Sequence, residues 1–172
     1  FEILSNGKTE EILTEISSPS KNMEAVVLEK APRIAVYSPK GNLPWDDAVT
    51  MVLTYAEIPY TVIYDEEVLG DQLILYDWLH LHHEDFTGQY GKFYRAYRSA
   101  PWYIQEKKKA EASAANLGYS KVSEAKRDVA LKIRDYVIGG GFMFAMCSAT
   151  DSFDIALSAE GLDICEPMFD GD

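Results

Sequence analysis

Short apolar runs alternate with helix-period segments along most of this chain, and that alternation restricts the fold more than any other feature. Arg33-Ile34-Ala35-Val36-Tyr37 has the pattern of a buried strand, and Ser38–Asn42 is turn chemistry. A helix is expected next, with Pro44 near its first turn and Asp46 and Asp47 complementing its dipole. Ala48, Met51, Val52 and Tyr55 fall at i, i+3, i+4 and i+7, which predicts that this face packs on a sheet; Ile58-Pro59 ends the helix. Thr61–Tyr64 reads as a second strand and Asp77–His82 as a third. Lys121–Val137 is amphipathic, apolar at Val122, Ala125, Val129, Ile133 and Val137, and Gly139-Gly140-Gly141 stops it with a left-handed cap. Phe142–Met146 is the fourth strand, and helix resumes after Thr150 through Ala159. Strand–helix–strand units are parallel and right-handed. The expected fold is therefore α/β: a flavodoxin-like, doubly wound, mostly parallel sheet with helices on both faces. Such sheets bind ligands beyond the C-terminal ends of their strands.

Residues 1–32 read as a peripheral N-terminal segment, with a short helix over Thr9–Ile16, a break at Ser17-Ser18-Pro19-Ser20, and an edge strand over Ala25–Leu28. Residues 33–172 read as the α/β domain. The chain starts at Phe1 and stops at Phe169-Asp170-Gly171-Asp172 without a closing element, so it reads as a fragment truncated at its C-terminus. A net charge of −12 weighs against nucleic acid or an anionic membrane as partner, because phosphate binding needs clustered Lys and Arg. The basic run Lys107-Lys108-Lys109, bracketed by Glu106 and Glu111, reads as a solvated surface. No apolar stretch approaches the roughly 20 residues of a membrane span, so no membrane insertion is expected. Cys147 and Cys165 are too few for a disulfide framework and read as free thiols. Nothing in the sequence asks for an organic cofactor.

Two loaded spots fall at the same predicted sheet edge. Ala145-Met146-Cys147-Ser148-Ala149 has the form small-x-nucleophile-x-small between a strand and a helix, as a nucleophile elbow requires: the turn is too sharp for bulky neighbours and it exposes the nucleophile. The plainer reading is a buried cysteine closing a core strand, with Ser148, Thr150 and Asp151 capping the helix. The other spot is His80, His82 and His83, all the histidines of the chain. On a strand His80 and His82 share a face and His83 takes the other. That pair could hold a metal with Glu84, Asp85 or Cys147, or one imidazole could serve as base for Cys147. Alternatively His80 is satisfied within the sheet while His82 and His83 order the following loop. Glu84 and Asp85 would fix an imidazole's tautomer, or cap a helix.

The run GGGFMFAMCSATDSFDIAL resembles the nucleophile elbow of the class I glutamine amidotransferase-like superfamily. The segments KAPRIAVYSP, PWDDAVTMVLTYAEIPY, YDWLHLHHEDFTGQYGKFY and GGGFMFAMCSATDSFDIALSAEGLDICEPMFDGD resemble more closely an uncharacterised bacterial family often labelled "asparagine synthetase B". The resemblance covers most of residues 24–172. It implies that Cys147 occupies the nucleophile position and that the chemistry is amide hydrolysis or acyl transfer on a small molecule. Members of that family are longer at both ends and begin with an export signal, which implies an extracytoplasmic, periplasmic location. This chain departs from the superfamily pattern in two ways. His82-His83-Glu84-Asp85 stands where the Gly-rich oxyanion loop belongs, and no histidine follows His83, so the usual triad is not complete. The N-terminal catalytic Cys and the Ser/Gly-rich ATP loop of glutamine-dependent asparagine synthetases are not found here either.

Phe86, Tyr90, Phe93, Tyr94 and Tyr97 lie on one face of a predicted helix, next to the histidines. They could stack a flat ligand or pack against the sheet or a further domain. Three functional readings follow. In the first, Cys147 is a thiol nucleophile assisted by His80 or His82 and oriented by Glu84 or Asp85, with His83, Asp85, Tyr90 and Ser148 contacting a small-molecule ligand. In the second, the fold is a non-catalytic module that binds a ligand, a protein partner or the remainder of its own chain, using the aromatic helix and the acidic stretch after Thr150. In the third, His80 and His82 hold a metal.

Overall fold

The computed structural model describes residues 6–21, 30–39, 47–83, 90–164 and 166–170, with the side chains of residues 6, 90–92 and 169–170 excepted. The chain divides into two units, Phe1–Ala31 and Pro32–Asp172. In the first, α1 (Asn6–Ile16) begins one turn earlier than the sequence suggests. It ends where Ser17 N–H donates to the Leu13 carbonyl and Ser18 N–H to that of Glu15. The expected strand over Ala25–Leu28 lies outside the described residues.

The second unit is built on four short strands: β1 (Ile34–Tyr37), β2 (Tyr60–Ile63), β3 (Trp78–Leu81) and β4 (Phe142–Ala145). All are parallel, in the order β2-β1-β3-β4. The chain winds outward from β1 to β2, then crosses back to build β3 and β4 on the other side. The reversal point therefore lies between the C-terminal ends of β1 and β3, where doubly wound sheets open a crevice.

Strand alternation sends Ala35, Tyr37, Leu79 and Leu81 into one core, closed by Val129, Ala130 and Ile133 of α6 (Val122–Ile138) and by Ala149 of α7 (Ser148–Ser158). Val68 of α3 (Asp65–Leu69) and Leu73 of a 3-10 turn (Gln72–Leu75) complete it. Ile34, Val36 and Trp78 face the other way and meet Val49 and Leu53 of α2 (Ala48–Tyr55). Helices thus cover both faces, as the sequence pattern requires. Two further helices, α4 (Tyr90–Tyr97) and α5 (Pro101–Asn116), precede α6, and α8 (Pro167–Asp170) follows α7. None of the described helices is long and apolar enough to cross a membrane.

The face expected to seat α2 on the sheet is not the one it uses. Met51, Val52 and Tyr55 are 52%, 57% and 92% exposed, whereas Thr50 and Leu53 are buried. The helix is apolar on nearly every side, so its period cannot select a face. Its rotation is set by its N-terminus instead, where Asp47 is tied into the sheet.

One polar node is sealed inside the larger core. The Lys126 ammonium donates to both Asp65 oxygens at 2.8 and 2.7 Å and to the Tyr37 and Tyr64 hydroxyls at 3.1 and 2.9 Å. Its nitrogen lies 4.2 Å from the Tyr64 ring centroid. The Tyr37 hydroxyl in turn donates to Asp65. A buried pair of this kind is tolerable because every charge has several partners.

Candidate functional site

Asp47 organises the C-terminal edge of the sheet. It is the N-cap of α2: Oδ1 accepts from the Val49 and Thr50 amides at 2.8 and 3.1 Å. The same oxygen accepts from His80 Nε2 at 3.0 Å, and Oδ2 accepts from the His83 amide at 2.9 Å. The carboxylate is fully buried. Burial alone would push its pKa up, but the Thr50 and His83 amides and the adjacent His80 outweigh that, so Asp47 ionises below the ordinary carboxylate range.

His80 reaches Asp47 because β3 carries it on the α2 face, level with Val36 and Phe144. Its Nδ1 lies 3.2 Å from the Phe144 carbonyl, and the ring stacks on that of Phe144 at 5.7 Å. Both ring nitrogens are thus directed at oxygen atoms, one of a carboxylate and one of a backbone carbonyl. With both nitrogens engaged and no exposed surface, His80 holds Asp47 in place.

β3 ends at Leu81, and strand alternation ends with it. His82 is held by one further hydrogen bond, its amide donating to the Tyr37 carbonyl at 3.0 Å. The His82 and His83 rings then lie together, centroids 4.6 Å apart and tilted by 34°. His83 Nδ1 is 3.4 Å from Asp47 Oδ2. Among the described residues Asp47, His82 and His83 form a group whose three ligand atoms all lie within 4.8 Å of one another. His80 and His82, the pair that strand periodicity puts forward, do not make this group; the departure from extended chain after Leu81 brings in His83 and Asp47 instead.

The elbow is present as a backbone feature. Cys147 separates β4 from α7 with φ 57° and ψ −140°, a left-handed region that residues bearing a β-carbon rarely occupy. Cys147 is exposed. The next residue joins this turn to the histidines: Ser148 Oγ donates to the His83 carbonyl at 2.9 Å. Among the described residues the Cys147 thiol makes no hydrogen bond, and Cys147 is not part of the Asp47–His82–His83 group.

Glu84 and Asp85 lie outside the described residues, as does the Tyr90 side chain. Phe93, Tyr97 and Trp102 pack on one another across the α4–α5 junction, with ring centroids 5.3 to 6.1 Å apart. Asp47 is the site residue that the sequence hid. An acid before a helix is read as an N-cap, which it is, and nothing in the sequence shows that the same carboxylate is also used by residues 33 and 36 positions away.

Comparison of the chain with protein-family models, with curated proteins and with solved structures gives no match.

Proposed function

We propose that the sheet edge of this α/β domain is a small-molecule site of the class I glutamine amidotransferase type, with Cys147 as nucleophile for amide hydrolysis or a related acyl transfer. The observation that carries the reading is the backbone of Cys147. Strain of about 1–3 kcal/mol is held at Cys147, where a strand end presents a thiol at the start of a helix. In the reaction the thiolate adds to the amide carbonyl, the tetrahedral oxyanion collapses, and the amine leaves with a proton from an imidazolium. Water then cleaves the thioester. The imidazole nearest in the hydrogen-bond chain belongs to the His82–His83 turn, tied to the elbow through Ser148. His80 and Asp47 hold that turn in place.

A specific observation favours a second reading, a non-catalytic ligand-binding module: the thiol has no hydrogen bond to an imidazole among the described residues. An acyl-transfer assay separates the two. Incubation with p-nitrophenyl acetate should release a burst of about one nitrophenolate per chain, with the acetyl group located on Cys147 by mass spectrometry. Cys147→Ala should lose the burst, and His82→Ala should slow it by at least tenfold, the usual scale of general acid–base assistance being about 10²–10⁴. Acetylation that does not distinguish Cys147 from Cys165 would select the binding module.

A further inference from the structure

We propose that Asp47, His82 and His83 form a binding site for a divalent transition metal ion of the Zn²⁺ class, with three protein ligands and an open fourth position. Cys147 is not in the ligand group, so the site does not need it as a nucleophile; an imidazole bound to an ion cannot also protonate a leaving amine, so the metal-bound state and the thiol chemistry proposed above are alternatives at this turn.

The geometry carries it. Zn²⁺ bonds imidazole nitrogen and carboxylate oxygen at about 2.0–2.2 Å, so the edge of a tetrahedral site is roughly 3.3 Å. The His83 Nδ1 to Asp47 Oδ2 separation is 3.4 Å, and all three ligand atoms lie within 4.8 Å of one another. Closing the group around an ion therefore shortens its ligand-atom separations by at most about 1.5 Å. His83 Nδ1 is also a buried nitrogen with no hydrogen bond among the described residues, although it faces a carboxylate oxygen. An ion between them would satisfy both this nitrogen and the carboxylate oxygen it faces.

The support around the group has the form metal sites need. Ligating carboxylates are held by hydrogen bonds from outside the coordination sphere. Here Oδ1 is fixed by two helix amides and by His80, which leaves Oδ2, with a single backbone hydrogen bond, able to coordinate. His82 is pinned through its amide to the end of β1. Asp47 and His82 are buried, whereas the His83 side chain is 32% exposed, so an ion and a fourth ligand can reach the group from that side. Two imidazoles and one carboxylate suit Zn²⁺ and its first-row neighbours; Ca²⁺ and Mg²⁺ prefer all-oxygen sets. With three protein ligands the site resembles catalytic rather than structural zinc centres, and a water on the fourth position would be acidified there.

The test is metal binding by the chelator-treated chain. Titration with Zn²⁺ should saturate at one ion per chain. Co²⁺ should give visible d–d absorption of tetrahedral or five-coordinate intensity, without a thiolate charge-transfer band. His83→Ala, at the partly exposed ligand, should weaken binding at least a hundredfold while far-UV circular dichroism is unchanged, and Cys147→Ala should leave affinity within twofold of the parent. Failure of the parent chain to bind one equivalent overturns the site whatever the variants do. So does undiminished binding by a folded His83→Ala chain, or a thiolate band lost in Cys147→Ala. If His83→Ala does not fold, His83→Gln and the Co²⁺ spectrum of the parent decide the matter on the same criteria. Because Cys147→Ala abolishes the thiol chemistry and spares the metal, failure of either reading is distinguishable from failure of the other.

Discussion

Replacing Asp47 by Asn should destabilise the domain by about 2–4 kcal/mol, and the value can be built from the contacts of the carboxylate. Asn caps helices about as well as Asp, so the Val49 and Thr50 hydrogen bonds to Oδ1 contribute almost nothing to the difference. The His80 hydrogen bond persists but becomes neutral at its acceptor, a loss of about 1 kcal/mol given roughly 1.5–3 for charged and 0.5–1.5 for neutral cases. At the second oxygen an amide NH₂ replaces the acceptor of the His83 amide. Donor then faces donor, which costs about 1–3 kcal/mol. With a urea slope of about 2 kcal/mol/M, the midpoint should fall by about 1–2 M. The measurement is urea unfolding followed by far-UV circular dichroism with chelator present, so that no bound ion adds to stability. The pH dependence gives a second readout. The folded pKa of Asp47 is depressed, so its contribution is present above the unfolded value near 4 and is lost as pH falls through the folded value. The Asn variant should lack that acid limb. A midpoint within about 0.3 M of the parent, with the same slope, would refute the claim that Asp47 organises this edge.

Two further outcomes are expected. At position 147 Gly should be more stable than Ala by about 1 kcal/mol, since only Gly occupies φ 57° without a β-carbon penalty; thermal unfolding of Cys147→Gly and Cys147→Ala measures this, and an equal or higher Tm for Ala contradicts the strained elbow. Burial, followed by the charge of Asp65, pushes the Tyr37 hydroxyl well above its ordinary pKa of 10. Its contribution is therefore complete below pH 10 and is lost as pH rises from there toward the folded value. Tyr37→Phe should lower the urea midpoint at pH 8, by about 1 kcal/mol of lost hydrogen bonding, yet show a shallower loss between pH 10 and 11 than the parent.

The elements that sequence periodicity identified were those whose pattern follows from local burial. The Ile34–Tyr37 strand and the Val122–Ile138 helix each bury a recognisable face, and so appear within a residue or two of expectation. Of the aromatic residues after Phe86, those described form a cluster of rings at the α4–α5 junction, while Glu84 and Asp85 lie outside the described residues. The helices Asp65–Leu69 and Pro101–Asn116 did not stand out. The first is a single turn, and the second is mostly solvated along the Lys107–Glu111 ladder.

The sequence by itself determined the α/β class, the parallel sheet and the strand-to-helix junction at Cys147. These depend on spacing along the chain: alternation of strand and helix, small residues either side of the thiol, glycines where a helix must stop. Tertiary structure alone decided which side of α2 faces the sheet, and which histidines belong together. Both outcomes trace to Asp47, whose two oxygens bond helix amides on one side and β3 with its following turn on the other. A carboxylate shared between an N-cap and a strand-end turn has no signature in either segment, because the contact exists only once β1 has brought α2 and β3 side by side.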